Sequence, residues 1–268
     1  MKKYELTSET KVINGVELHR IKALESFGNI YEGDLGGWIE SEKNLSQEGD
    51  AWVFDNAKVR GNATIRGDAW VFDNAEVSGN AIVSGNATVR GNATIRGNAK
   101  VEDKATVSGN ASISGNATVE DRAKVDGNAM VCENVIVSGN AIVNENAVVF
   151  ENATVSGNAI VSGNATVSGN ATVEDKAKVR GNATVSGNAT VRGKEDFIVF
   201  KNWWSSGRYF TWTRSNNKWE VGCFYGSGEE LIAKAYKDSA KSGREYERVV
   251  KYVESIMEEE NNNKQYKI

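Results

Sequence analysis

Apolar and polar positions in the middle of this chain follow a six-residue beat. A valine or isoleucine stands at every sixth position from Val53 to Val191, 24 in succession, and an alanine stands two before each of them except at Val135. A helix needs apolar residues about every 3.6 positions and a coiled coil about every 3.5, so neither template fits. Within each hexad, as in Gly61-Asn62-Ala63-Thr64-Ile65-Arg66, Ala and Val are two apart and point to one side of a short strand, while the residue between them points outward. The Gly-Asn pair is turn chemistry, because both residues tolerate a left-handed backbone. Each hexad therefore predicts one short strand and one corner.

The imperfect repeats set the number of corners per coil. AWVFDNA occurs at Ala51–Ala57 and again at Ala69–Ala75, and VED[KR]A begins at Val101, Val119 and Val173, so the offsets are multiples of 18. Three strands per coil predict an all-β solenoid, a parallel β-helix of about eight triangular coils, with residues 18 apart stacked at about 4.8 Å. The repeats span 51–193.

Sorting outward residues by this register finds two departures from a solvated coat. Trp52 and Phe54 lie below Trp70 and Phe72 near the base; higher up, Ile142 lies below Ile160, and Met130 and Cys132 lie below Val148 and Phe150. Exposed apolar clusters of this kind mark contact surfaces. The expected contact is either a subunit or the chain's own caps. One corner file, Glu102-Asp103-Lys104, Glu120-Asp121-Arg122 and Glu174-Asp175-Lys176, reads as a surface corner in which each acidic pair is compensated by its adjacent cation.

The ends are different material. Residues 1–50 read as an N-terminal β-hairpin, turning at Asn14-Gly15, and a cap in which Ile39 and Leu45 keep the six-residue spacing back from Ala51. Residues 194–268 read as a small C-terminal α+β domain. Its strands are expected at Phe197–Phe200, Tyr209–Arg214 and Lys218–Tyr225. Two helices then open with capping boxes at Ser227/Glu230 and Ser242/Glu245, before a frayed polar tail.

That domain holds the candidate ligand site. Trp203, Trp204, Phe210, Trp212 and Tyr225 interleave with Arg208, Arg214 and Lys218, and alternation puts Arg208, Phe210, Trp212 and Arg214 on one face. Guanidinium groups suit phosphate and flat aromatics suit bases, so a small nucleotide-like anion is the expected ligand. The competing reading is that these aromatics simply form the core of a small domain.

The aliphatic residue followed four positions later by a small one, as in Val59-Arg60-Gly61-Asn62-Ala63, resembles the hexapeptide-repeat, left-handed parallel β-helix family. Left-handed coiling is implied by that resemblance alone. With the GDLGGWIESEKNLSQ block, the style is most like bacterial and phage members whose transferase activity rests on their names. The resemblance also implies a homotrimer, and the phage-type likeness points to sequestration of a host signal or antagonism of a host defence protein. Many family members are acyltransferases that use a coil-edge histidine as general base. This chain has one histidine, His19, and it precedes the coils, so no catalytic residue is assigned and acyl transfer becomes the alternative.

Charge and composition narrow the rest. The net charge of −4 gives no strong sign of DNA or RNA binding, and the two cysteines, Cys132 and Cys223, make no metal-ligand spacing, so no metal and no cofactor are expected. No apolar run is long enough for a membrane span and the start lacks a signal-peptide core, which points to the cytoplasm. Three function classes remain: a non-catalytic scaffold whose C-terminal domain binds an anion or a host protein, a divergent acyltransferase, and a purely structural solenoid.

Overall fold

The computed structural model describes residues 2–265. A hairpin of β1 (Tyr4–Ile13) and β2 (Val16–Ala23) leads into β3 (Leu35–Ile39), and each of the 24 hexads then supplies one two-residue strand, from β4 (Trp52–Val53) to β25 (Lys178–Val179), β26 (Thr184–Val185) and β27 (Thr190–Val191). Every third strand pairs in parallel, which builds three sheets around a triangular column. The valines of β4–β27 and the alanines before them are fully buried.

The column has about nine coils rather than eight, because β3 already belongs to it. Ile39 pairs with Val59 and Leu45 bridges to Ile65, both 20 apart, whereas Val53 pairs with Val71, 18 apart. The six-residue spacing from Leu45 therefore lands on Ala51, but two extra residues move the core position to Val53. The insertion hides this first coil from a strict hexad count.

Corner conformation explains the Gly-Asn pair. The glycine takes a left-handed backbone, for example φ 69° at Gly61 and 76° at Gly163, and a Cβ on Gly85 would stand 2.8 Å from the Asp103 nitrogen of the coil above. The asparagines hydrogen-bond up two corners in side-chain ladders, unbroken from Asn62 to Asn188 and from Asn74 to Asn182. The third corner carries the acidic file. There Asp103, Asp121 and Asp175 occupy the left-handed position themselves. Asp121 Oδ2 accepts the Gly139 N–H at 2.8 Å, and Asp103 Oδ2 accepts the Asp121 N–H at 3.3 Å. Lys104, Arg122 and Lys176 form no ion pair among the described residues; Asp103 and Asp121 are met instead by backbone donors of the next coil, and Glu174 by Arg192 at 2.9 Å. Burial, with Asp121 and Asp103 nearby, pushes the Glu120 carboxyl up.

Outside the strand pairs the inter-coil hydrogen bonds run one way, each N–H donating to a carbonyl of the coil above, as in Thr172 N–H to Ala189 O at 2.8 Å, while within each parallel pair one N–H of the upper strand donates back down. The base consequently presents an excess of unpaired carbonyls and the top an excess of unpaired N–H groups. Donors close the base: Lys3 Nζ donates to Gly49 O and Ala51 O, both at 3.0 Å, and the Tyr4 hydroxyl donates to Leu45 O at 2.7 Å. Acceptors close the top. Thr211 Oγ1 accepts the Thr184 N–H, Ser215 Oγ accepts the Thr190 N–H at 2.6 Å, and Asp196 accepts the N–H groups of Arg192 and Gly193.

Thr211 belongs to, and Asp196 and Ser215 flank, an antiparallel sheet of β28 (Phe197–Lys201), β29 (Tyr209–Thr213), β30 (Lys218–Val221) and β31 (Phe224–Gly226), followed by α1 (Gly228–Asp238) and α2 (Ala240–Gln265). The expected strand Lys218–Tyr225 is two strands, because Gly222 turns the chain at φ 60°. The Ser227/Glu230 capping box forms as predicted. At α2 the cap is Ser239, whose hydroxyl accepts the Ser242 N–H at 3.0 Å, three residues before the expected start. The expected frayed tail is helical through Gln265, and its last three residues, 266–268, lie outside the described chain.

Candidate ligand-binding cleft

Alternation in β29 decides what each aromatic can do. Thr211 and Thr213 face the column, while Phe210 and Trp212 face the two helices and join Trp204, Trp219, Leu231, Tyr246, Val250 and Val253 in a second core. Phe210 and Trp212 are each 1 % exposed. The face predicted from RYFTWTR exists, but α1 and α2 cover its centre, so Phe210, Trp212 and Trp204 act as core. Trp203, by contrast, is 73 % exposed. Tyr225 faces a corner of the last coil, where its hydroxyl accepts from Asn216 Nδ2 at 3.1 Å and its ring fills the space beside Gly187.

The two arginines are not brought together. Arg208 precedes β29 and Arg214 follows it, which separates them by roughly 20 Å along an extended strand. Arg214 is anchored: its guanidinium meets Glu260 at 2.6 and 3.2 Å, Nε donates to Glu195 O at 2.8 Å, and the Glu260 hydrogen bond holds it firmly protonated. Lys218 is half-buried at the start of β30 with no ion pair among the described residues.

Arg208 has no ion-pair partner among the described residues and borders a cleft of about 320 Å³ between the sheet and the helices, lined also by Asn202, Ser205, Ser206, Lys234, Asp238 and Tyr246. The floor is held rigidly. Asn202 is buried, donates to the Tyr246 hydroxyl at 2.9 Å and accepts from the Ser205 N–H and hydroxyl, both at 3.0 Å. Burial pushes the Tyr246 phenol up, keeping it neutral at ordinary pH. Two cations, several hydroxyls and one carboxylate make a pocket suited to a small anion with hydrogen-bonding edges. Lys234 and Tyr246 sit on the helices, where no local pattern tied them to Arg208. A second cleft of about 320 Å³ is lined by Trp212, Trp219, Val250, Val253 and Met257 and also by Arg214, Asn217, Glu254 and Glu258, so its two carboxylates make it less suited to an anion.

On the column, Trp52 is buried beneath the N-terminal segment, edge-on to Tyr4 and Phe27 at ring distances of 6.1 and 5.4 Å. Phe54 and Phe72 stack at 4.3 Å, and Trp70 sets its edge against both while donating to Asp50 O at 3.2 Å. Higher up, Met130 pairs with Val148 and Ile142 with Ile160, with Phe150 half-buried beside Val148. Ile136, 42 % exposed, lies at the same height and extends this apolar belt to the third face. His19 pairs with Thr10 and Ile39 in the basal hairpin. Among the described residues no helix is long and apolar enough to cross a membrane, and no group of three His, Cys, Asp or Glu could hold a metal.

Comparison with known proteins bears on the column. The YdcK Beta solenoid repeat family matches residues 75–91 and 161–175. A protein of Escherichia coli (strain K12) named "Uncharacterized acetyltransferase YdcK" is 36 % identical over 74 residues, which cover 24 % of this chain and 23 % of that protein. The match thus spans about a quarter of the relative's length.

Proposed function

This chain is a hexapeptide-repeat β-helix protein, and from that premise we propose that it is a non-catalytic scaffold whose C-terminal unit binds a small nucleotide-like anion in the Arg208 cleft. The observation that carries the reading is the contrast between two arginines in one sheet. Arg214 spends its guanidinium on Glu260, whereas Arg208 faces a cleft with Lys234 and a serine-rich rim and has no carboxylate bound to it. A cation left unpaired beside a concave, polar surface is poised for an anionic ligand. The homotrimer implied by the family resemblance, with the apolar belt at its interface, would display three such clefts, and sequestration of a host signal is a use that fits a binder without chemistry. Calorimetric titration with a panel of cyclic and linear nucleotides tests the reading. Binding that Arg208→Ala weakens at least about tenfold supports it, and no binding by any member of the panel refutes it.

Acetyl transfer is the second reading, favoured by the name of the matched relative. The match lies within a quarter of that protein, and the only histidine of this chain sits in the basal hairpin. Acetyl-coenzyme A turnover by the wild-type protein would overturn the scaffold reading, whether or not His19→Ala abolished it.

A further inference from the structure

Two of the three strand edges at the top of the column are closed by the C-terminal sheet, and the third is open. Thr184 of β26 and Thr190 of β27 have side-chain acceptors for their N–H groups. The N–H groups of Lys178, Arg180 and Asn182, on and after β25, have no hydrogen-bond partner among the described residues. One coil below, the same three positions, Ile160, Ser162 and Asn164, donate to Ala177, Val179 and Gly181 at 2.9, 2.9 and 2.7 Å. The corner beyond is equally bare: a Cβ on Gly181 would meet nothing within 4 Å, whereas one on Gly187 would strike the Tyr225 ring.

Around this edge cations outnumber carboxylates, with Asp175 the one exposed acid at the corner before β25. Lys176, Lys178 and Arg180 are exposed and form no ion pair among the described residues, and the nearby Glu174 is engaged by Arg192 at 2.9 Å. Below them a shallow groove of about 450 Å³ runs along the same face from Ile142 past Ile160 to Gly181, with Glu145 at its lower end and Arg180 at its upper end, and in it the buried Asn144 Oδ1 lacks a donor. An open edge is a template for strand addition, and cations along it repel an identical edge while attracting carboxylates.

We propose that β25 is a strand-addition site for an extended acidic peptide segment, which joins its sheet as a ninth strand. The segment's carbonyls accept from the Lys178, Arg180 and Asn182 N–H groups, and its carboxylates meet Lys176, Lys178 and Arg180. A second copy is disfavoured as the edge-to-edge occupant, since it would bring the same three cations face to face. This site is independent of the Arg208 cleft.

The test uses the full chain and a fluorescein-labelled decapeptide of alternating valine and glutamate, followed by anisotropy and by amide hydrogen exchange. Saturable binding is expected, with the Lys178, Arg180 and Asn182 amides becoming protected. The exposed-site double variant Lys178→Glu/Arg180→Glu should lose at least about tenfold in affinity, and Arg208→Ala should lose none. Alternate N-methylation of the peptide should weaken binding by blocking its pairing edge, and a valine–lysine decapeptide should not bind. The proposal is overturned by absence of binding, by binding that leaves the three amides unprotected, or by protection in the free protein that grows with its own concentration, which would place a second copy on the edge.

Discussion

Thr211 Oγ1 accepts the Thr184 N–H at 2.9 Å, and through that bond the C-terminal sheet meets the last coil with an acceptor for the kind of group the coil leaves unpaired most often. The base is closed by the opposite chemistry, where the Lys3 amine donates to Ala51 O. A solenoid whose inter-coil hydrogen bonds run mostly one way needs mainly acceptors at one end and mainly donors at the other. The identity of these capping side chains follows from that polarity.

Thr211→Val keeps the shape and removes the acceptor. The half-buried Thr184 N–H then has no partner, which should cost about 1–3 kcal/mol. Denaturant unfolding together with faster hydrogen exchange at Thr184 checks this. Unchanged exchange at Thr184 would contradict it.

Lys3 gives a pH signature. Burial lowers its amine from 10.5 to about 8 in the folded protein. Below about pH 8 both folded and unfolded chains hold the proton, and the burial penalty is fully present. Between about pH 8 and 10.5 the folded protein has released a proton that the unfolded chain still holds, so unfolding takes up a proton and stability rises with pH. Lys11, also lowered to about 8 by burial, contributes in the same direction. Subtracting the unfolding curves of Lys3→Met from those of the wild type across pH 7–10 isolates Lys3, and the difference should grow in favour of the wild type as pH rises.

Corner residues with a left-handed backbone separate strain from compensation. Glu133 sits at φ 66° without a side-chain hydrogen bond among the described residues, whereas Asp121, at φ 59°, accepts the Gly139 N–H. Glu133→Gly should therefore stabilise by up to about 1 kcal/mol, because glycine relieves the steric strain. Asp121→Gly should give no gain, since it trades strain for a lost acceptor. Thermal melts of the two variants distinguish these outcomes.

Val107 is fully buried in the middle of the column. Val107→Asp places an unpaired carboxylate there and should destabilise by more than about 4 kcal/mol. Circular dichroism should show loss of the cooperative melt, while the neighbouring outward change Thr106→Asp should leave it nearly intact.

Much of the column could be read from the residues because its signal is periodic and local. The 18-residue register placed Met130 beside Val148 and Ile142 beside Ile160, and the observed pairing has the same register. The first coil escaped because two extra residues before Ala51 break the beat. The C-terminal unit was harder for a different reason: alternation correctly separates Phe210 and Trp212 from Thr211 and Thr213, yet nothing local says which face meets helices and which meets the column. The same limit hid the Glu260 partner of Arg214, 46 residues away, and the placement of Lys234 and Tyr246 around Arg208.

The scaffold-and-cleft account is tested most directly by titrating one nucleotide that binds the wild type into Arg208→Ala and Arg214→Ala side by side. Arg208→Ala should lose at least about tenfold in affinity at unchanged melting temperature, while Arg214→Ala keeps its affinity and melts earlier through loss of the Glu260 pair. Affinity lost only in Arg214→Ala, or retained in Arg208→Ala, would contradict it.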